Sequence, residues 1–530
     1  MVFGIVGMRS ALARLTQFWT DKRGNIAVIY AVALIPLLIA VGAGLDFARA
    51  VMVRAELTEA LDGAGLAVGA SPNLSTSDVQ VLAQNYFNAN YTMDASYGTP
   101  AAITVSTAGQ DITLNSSVAM PTVLMSIVGI NTMPISSSVV ITRNSKNIEV
   151  ALALDTTGSM SGSKITDLKT AAGELIDIVV QDVQTPTYTK VAIAPYSMGV
   201  NAGGYAAQVR GAIAAGYAIT AATKANPVVV TAPGHNFANG DVIYITGVNG
   251  MTNINNTTAT PSFVVANRTS STFELKNING SGYSKYTSGG TVYCAKAGCQ
   301  YYNFTNASNA SATLPISTCV SERTTNAYND VAPSTTLLGY NYAASGNACI
   351  DASIMPLSSD RTSLKAVVSG LSASGSTAGH IGVAWAWYLL SPNFSYLWPN
   401  ASQKPAAYGT DNLIKVAVIM TDGAFNTPYC KGVISKDAGS GSGDDADHIN
   451  CNAPNGSSAS QAKQICTAMK ATGIIVYTVG FEVGSDATAL DVLKSCATDT
   501  AHAYFPSTGA DLQNVFRDIA QQITNLRVKS

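Results

Sequence analysis

The residues best placed to do chemistry are oxygen donors. Asp155, Thr157 and Ser159 stand in D-T-T-G-S directly after the apolar run IEVALALD, Thr377 lies in SGSTAG ahead of a helical stretch, and Asp422 closes IKVAVIMTD. Two carboxylates and three hydroxyls are hard donors suited to Mg²⁺, Mn²⁺ or Ca²⁺. Alternation of Asp155, Thr157 and Ser159 at a strand end lets the three side chains converge on one point. Two negative charges are too few to enclose a divalent ion, which therefore keeps water and an open position that an acidic side chain of a protein partner can fill. The expected chemistry is ligand binding rather than hydrolysis. Taken alone, D-T-T-G-S reads more readily as a helix N-cap than as a metal site; Thr377 and the T-D-G at 421–423 are what favour a metal site.

No catalytic residue is expected. His235, His380, His448 and His502 lie far apart and none belongs to a nucleophile motif, which disfavours a Ser/His/Asp hydrolase. Trp385, Trp387 and Trp398 read as packing. The acidic run Asp444, Asp445 and Asp447 falls in a Gly/Ser-rich loop and reads as solvated rather than as a calcium site.

The elements that must position these donors alternate strand, loop and helix. IEVALALD, the helix ITDLKTAAGELIDIVVQDV and KVAIAPYS are followed, after a long interruption, by TSLKAVVSGL, HIGVAWAWYLL, IKVAVIMTD, SASQAKQICTAMKATG, IIVYTVGF, ATALDVLKSCA, AYFP and GADLQNVFRDIAQQITNL. This pattern predicts a doubly wound, Rossmann-like α/β domain split over 148–200 and 355–530, with ligands bound beyond the carboxyl ends of its strands. The interruption has its own texture. Over 218–295, short strands separated by Asn239-Gly240, Asn249-Gly250, Asn279-Gly280 and Gly289-Gly290 predict a small all-β barrel or sandwich. Residues 296–354 read as a Cys-containing loop region.

Ahead of the α/β domain, Ile26 to Leu45 is a run of 20 residues without a charge. As a helix at ~1.5 Å per residue it matches a ~30 Å hydrocarbon core. Arg9, Arg14, Lys22 and Arg23 precede it, opposed only by Asp21, so the positive-inside rule places 1–24 in the cytoplasm and the bulk of the chain outside. A cleavable signal peptide is the rival reading, but the run is too long and helical pattern continues through 25–70. Residues 71–147 then read as a small α+β module: an amphipathic helix near 77–90, a hairpin in AAITVSTAGQDITLNSSVAM and a further strand near 135–143.

With 30 Lys+Arg against 32 Asp+Glu and only 12% charged residues, the chain lacks the cationic surplus that nucleic-acid binding needs. All eight cysteines, Cys294, Cys299, Cys319, Cys349, Cys430, Cys451, Cys466 and Cys496, lie in its second half, and an even count outside the cytoplasm suits disulfides. Spacing leaves their connectivity open. Pairing between sequence neighbours is the simplest: Cys294 with Cys299, Cys319 with Cys349, Cys430 with Cys451, Cys466 with Cys496. A zinc site competes, with no C-x-x-C and few nearby His to support it.

IEVALALDTTGSMSGSKITDLKTAA resembles the opening of a von Willebrand factor type A domain, whose metal-ion-dependent adhesion site has the form D-x-S-x-S with a distant Thr and a distant Asp. Asp155, Thr157, Ser159, Thr377 and Asp422 match those positions, with Thr157 in place of the more usual Ser. RGNIAVIYAVALIPLLIAVGAGLDFARA is similar to the TadE/TadG-like segment of Flp (Tad) pilus-assembly proteins, and TadG-type members join that segment to a von Willebrand A domain. In smaller pseudopilin relatives a peptidase cuts after a Gly that precedes a Glu-Tyr or Glu-Phe pair. Gly24 and Tyr30 stand at those places and Ile29 replaces the Glu, which implies that the helix is retained as an anchor. PVVVTAPGHNFANGDVIYITGVNGM resembles the FCCH domain of ubiquitin-activating enzymes, here implying an accessory module.

Together the resemblances imply a non-enzymatic protein of the bacterial inner membrane, with a single span, its N-terminus cytoplasmic and its bulk in the periplasm or outside. It would serve pilus assembly or anchoring by binding a protein partner, possibly a pilus component, through a divalent cation. Two alternatives stand beside this: a surface adhesin or envelope-anchored binding protein unrelated to a pilus, and a subunit of a chelatase-like ATPase complex, which an extracytoplasmic location disfavours.

Overall fold

The computed structural model describes residues 25–69, 71, 74–108, 111–142, 146–256, 262–325 and 327–528; the segment 1–24, with its cationic residues and Gly24, lies outside the described residues. The chain divides into two units, Met1–Ser145 and Lys146–Ser530.

The first unit is organised by one helix of two characters. Helix α1 (Asn25–Gly69) contains Pro36 and is long and apolar enough to cross a membrane. Along Ile26–Leu45 it is apolar on every face and exposes Ile29, Val32, Leu34 and Leu38 alike. From Ala50 the burial follows helical spacing through Val53, Leu57, Ala60, Leu61, Ala64 and Val68. That stripe packs with Val79, Ala83 and Phe87 of α2 (Thr76–Asn90), whose first turn is capped by Ser75. Strands β1 (Thr104–Ala108), β2 (Asp111–Pro121) and β3 (Thr132–Thr142) form an antiparallel meander, with β2 and β3 in unbroken register from Asp111↔Thr142 to Pro121↔Thr132. Ile112, Leu114, Val118 and Met120 of β2 alternate onto the shared core.

The second unit holds a six-stranded sheet in the order β6-β5-β4-β7-β8-β9, formed by β4 (Asn147–Asp155), β5 (Thr189–Tyr196), β6 (Met355–Ser358), β7 (Leu413–Thr421), β8 (Ile475–Gly480) and β9 (Ala503–Tyr504). All pair in parallel except β6, an antiparallel edge. The doubly wound domain expected from the sequence is therefore present, with β6 added. MPLS is short and Pro-containing, a pattern tolerated at a sheet edge and carrying little strand signal.

Each central strand is buried on both faces, and the faces differ in size. Val150, Leu152 and Leu154 of β4 pack with α3 (Ser163–Val179), α4 (Arg361–Ser369) and α8 (Gly509–Val528). Ala151 and Ala153 face the other layer, formed by α5 (Gly379–Tyr388), α6 (Ser458–Ala471) and α7 (Ala487–Cys496). The alanine face leaves room for Trp385 and Trp387 of α5, a helix buried on every side. Trp398 is buried in the same layer, as packing.

Between β5 and β6 lies a separate antiparallel sheet. Its strands run in the order Tyr217–Ala218, Ser288–Cys294, Val242–Asn249, Phe263–Ala266, Thr272–Leu275, Val229–Thr231 and Ala221–Ala222. The first and last are joined through Ile219, whose N–H donates to Gly290, and Thr220, whose N–H donates to Thr231, so the sheet closes into a barrel. The Asn249-Gly250 turn needs its glycine: φ is +81°, and a Cβ would collide with the carbonyl of Lys285. Within 296–354, read as loop from sequence, Tyr301–Thr305 and Ser311–Pro315 form a hairpin, because Tyr302 and Phe304 alternate inward against Tyr342. The cysteines pair as sequence neighbours: Cys294–Cys299, Cys319–Cys349, Cys430–Cys451 and Cys466–Cys496.

Candidate metal centre

Strand β4 ends at Asp155 between β5 and β7, where the winding of the sheet reverses and adjacent loops part. Asp155 is fully buried. Its Oδ1 accepts from the N–H of Thr157 at 2.9 Å, the local turn that the capping reading anticipates, while its Oδ2 accepts from the hydroxyl of Thr421 at 2.7 Å. The Thr157 and Ser159 hydroxyls stand 3.0 Å apart, and Ser159 donates to Asp422 Oδ1 at 2.6 Å. Asp155, Thr157, Ser159 and Asp422 thus form one continuous polar corner. Ser159 is its exposed member.

Thr377 reaches the same region by its backbone. The loop before α5 is stitched to the β4 loop by Gly158 N–H to Gly375 O at 2.8 Å and Ser374 N–H to Thr156 O at 2.9 Å. The Thr377 carbonyl accepts from Asn426 and Thr427, and its N–H donates to Asn426 Oδ1 at 3.1 Å. Among the described residues, no hydrogen bond joins the Thr377 hydroxyl to the two carboxylates. Gly375 has φ +77°, and any Cβ there would press on Asn347 Oδ1 and Ser197 Oγ. The tight loop therefore depends on glycine.

Charge at the corner is unbalanced. Burial, reinforced by the nearby charge of Asp422, pushes the Asp155 carboxyl up to about 6. Asp422 has a counter-ion in Lys164, whose Nζ lies 3.0 Å from Asp422 Oδ2 and 3.5 Å from Glu482 Oε2. Burial works against that ammonium, but the hydrogen bonds and charges of Asp422 and Glu482 outweigh it and hold Lys164 above its ordinary value. The sequence pattern does not mark Lys164 or Asn426, and it marks Thr421 only as part of T-D-G. The available signal for Lys164 was that it is the first cation after Asp155 and opens α3.

A second polar cluster was also invisible in sequence. His380 Nε2 lies 2.6 Å from Glu322 Oε2, and its Nδ1 lies 2.6 Å from Ser458 Oγ. The order Glu, His, Ser imitates a hydrolytic relay, but Ser458 and His380 are wholly enclosed. The cluster ties α5 and α6 to the segment around Glu322, which follows the barrel.

Comparison with known proteins adds to this geometry. Residues 24–71 match the family described as Flp pilus-assembly TadE/G-like. The N-terminal region is TadE/G-like. Residues 225–296, which include most of the barrel, match the ubiquitin-activating enzyme E1 FCCH domain. No curated protein matches the chain significantly. Solved structures similar to it include the pilus adhesin SpaC from Lactobacillus rhamnosus GG, with 10% identity and TM-score 0.30 over 80% of this chain and 34% of that one. This chain thus spans about a third of SpaC. The vWF domain of the type V pili tip protein Mfa5 from Porphyromonas gingivalis has 10% identity and TM-score 0.33 over 73% of this chain and 97% of that one. Proximal thread matrix protein 1 from the mussel byssus, with a zinc-occupied MIDAS motif, has 8% identity and TM-score 0.27 over 72% of this chain and 46% of that one. By its own strand order and antiparallel edge, the α/β unit is von Willebrand A-like in fold.

A divalent cation fits the corner. The donors are oxygen only, two of them carboxylates on adjacent strand ends, and hard oxygen donors of this kind suit such an ion. Among the described residues no group of three or more His, Cys, Asp or Glu side chains could hold a metal, so any ion here depends on hydroxyls.

Proposed function

We propose that this chain is a membrane-anchored, extracytoplasmic von Willebrand A protein that serves Flp/Tad-type pilus assembly or anchoring. It binds a protein partner through a divalent cation at the β4–β7 corner. The observation that carries this reading is the contact chain from Asp155 through Thr157 and Ser159 to Asp422. Asp155, Thr157, Ser159, Thr377 and Asp422 would hold the ion, and the ion would supply a Lewis-acidic point for an acidic side chain of the partner. The chain's own residues shape that point: Thr421 orients Asp155, and the Gly375 loop holds Thr377 in place. The N-terminal helix and the disulfides support a single span with the bulk outside the cytoplasm, in the bacterial inner membrane.

The test is calorimetric titration of the purified protein with Mg²⁺ and Mn²⁺, paired with capture of envelope proteins in the presence of Mg²⁺ or EDTA. Asp155→Ala is expected to lose cation binding and cation-dependent capture while keeping a cooperative melt. Capture that persists with EDTA or with Asp155→Ala sinks the metal-bridged mechanism. In cells, pili that form normally without the chain would remove it from pilus assembly.

A further inference from the structure

The first unit exposes an apolar surface that the metal site does not use. The chain carries no charge from Ile112 to Thr142. Midway, the turn between β2 and β3 leaves Ile127 77%, Val123 53%, Val128 45% and Ile130 45% exposed. Exposed apolar side chains gathered on one turn mark a contact with another apolar phase.

The turn is fixed to α1 at one level. Asp46, itself buried, accepts three backbone N–H groups, from Val123 at 2.9 Å, Leu124 at 3.0 Å and Met125 at 2.9 Å. Leu124 lies so close over Gly42 that no Cβ fits there. Gly129, at φ +87°, sends the chain back toward β3. Gly42 lies in the last turn of the charge-free run of α1 and Asp46 directly follows that run, so the turn stands beside the last stretch of the membrane-crossing segment. Arg49 follows, with its guanidinium 4.9 Å above the ring of Tyr97. An Arg and a Tyr just beyond an apolar span suit the headgroup layer.

We propose that the turn 122–131 is a second membrane contact, in which Val123, Ile127, Val128 and Ile130 enter the outer-leaflet interface beside α1. The inference rests on the reading of α1 as a membrane anchor. The occupant is lipid rather than protein because the patch is continuous with the lipid-facing run of α1 and is held there by Asp46. The turn would restrain the tilt and rotation of the first unit at the bilayer surface.

The experiment uses the full chain in vesicles of phosphatidylethanolamine and phosphatidylglycerol. Its eight cysteines are paired, so a single added cysteine takes one spin label. Ile127→Cys reports the turn and Leu37→Cys the span. Ser77→Cys reports a site near the far end of α1, roughly 36 Å beyond Leu45 at 1.5 Å per residue. The Ile127 label is expected to collide with oxygen in preference to a water-soluble nickel chelate, as Leu37 does, with chelate accessibility several-fold below that of Ser77. An Ile127 label as open to the chelate as Ser77, with Leu37 still in lipid, overturns this inference alone. A Leu37 label in water overturns the anchor reading and this inference with it. Close-range dipolar broadening at Ile127 would assign the patch to a second copy of the chain and equally overturn it.

Discussion

At the scale of single residues, the proposed ion and Lys164 would compete for Asp422. Lys164 already neutralises one oxygen of that carboxylate, and a metal ion must share or displace it. Lys164→Met removes the competing ammonium. Affinity for Mg²⁺ is expected to rise on the order of tenfold, equivalent to about 1.4 kcal/mol, by calorimetric titration. An unchanged or weaker affinity would show that Lys164 supports the site instead. Asp155 supplies a pH signature. Because its folded carboxyl titrates near 6, against an ordinary value of 3.8, the metal-free folded state binds this proton more tightly than the unfolded chain. Its contribution to stability is therefore greatest below about 4 and declines as pH rises through about 6. Urea denaturation across that window should show the decline in EDTA and lose it in Asp155→Asn; saturating Mg²⁺ should offset it.

At the scale of elements, the two layers around the sheet are matched to strands that alternate large and small residues. One exception is charged. Glu149 and Lys415 are directly paired in register across β4 and β7, with Nζ to Oε2 at 2.5 Å, and both are buried. Tyr188 and the N–H of Ala406 also donate to Glu149 Oε1, each at 3.0 Å, and Lys415 donates to Leu390 O at 2.8 Å. Removing one partner strands the other in a poorly solvated place, at a cost of about 3–5 kcal/mol. Glu149→Met should cost more than Lys415→Met, because it orphans two further donors as well as the ammonium. Chemical denaturation of the two variants checks the ranking; equal costs would mean that Tyr188 and Ala406 find other partners.

At the scale of the whole molecule, the barrel interrupts the α/β unit without contributing a strand to its sheet. Its entry and exit meet in the ladder, where Tyr217 pairs with Val292. A short Gly/Ser link replacing 217–292 would span that gap and leave the Cys294–Cys299 pair in place. The shortened protein is expected to melt cooperatively and to keep cation affinity within a factor of about two, since Asp155 and Asp422 stand on β4 and just after β7. Loss of cation binding with an intact melt would assign the insertion a part in shaping the site.

The local chain was enough to specify most of the elements. Apolar runs bounded by Gly, Asn and Asp marked strands and turns, the charge-free run Ile26–Leu45 marked a long apolar helix, and D-T-T-G-S marked a strand end able to gather oxygens. Each of these signals is periodic or contiguous, so it survives without knowledge of what packs against it. Contacts between distant segments left no such trace. Lys164 on Asp422, Glu322 with His380 and Ser458, Glu149 with Lys415, and Asp46 under the 122–131 turn join residues remote in sequence or separated by an insertion. The short edge strand β6 and the hairpin after the barrel carry little pattern of their own for the same reason. Their stability comes from the neighbours they meet and only weakly from their own pattern, and that information exists only once the chain has folded.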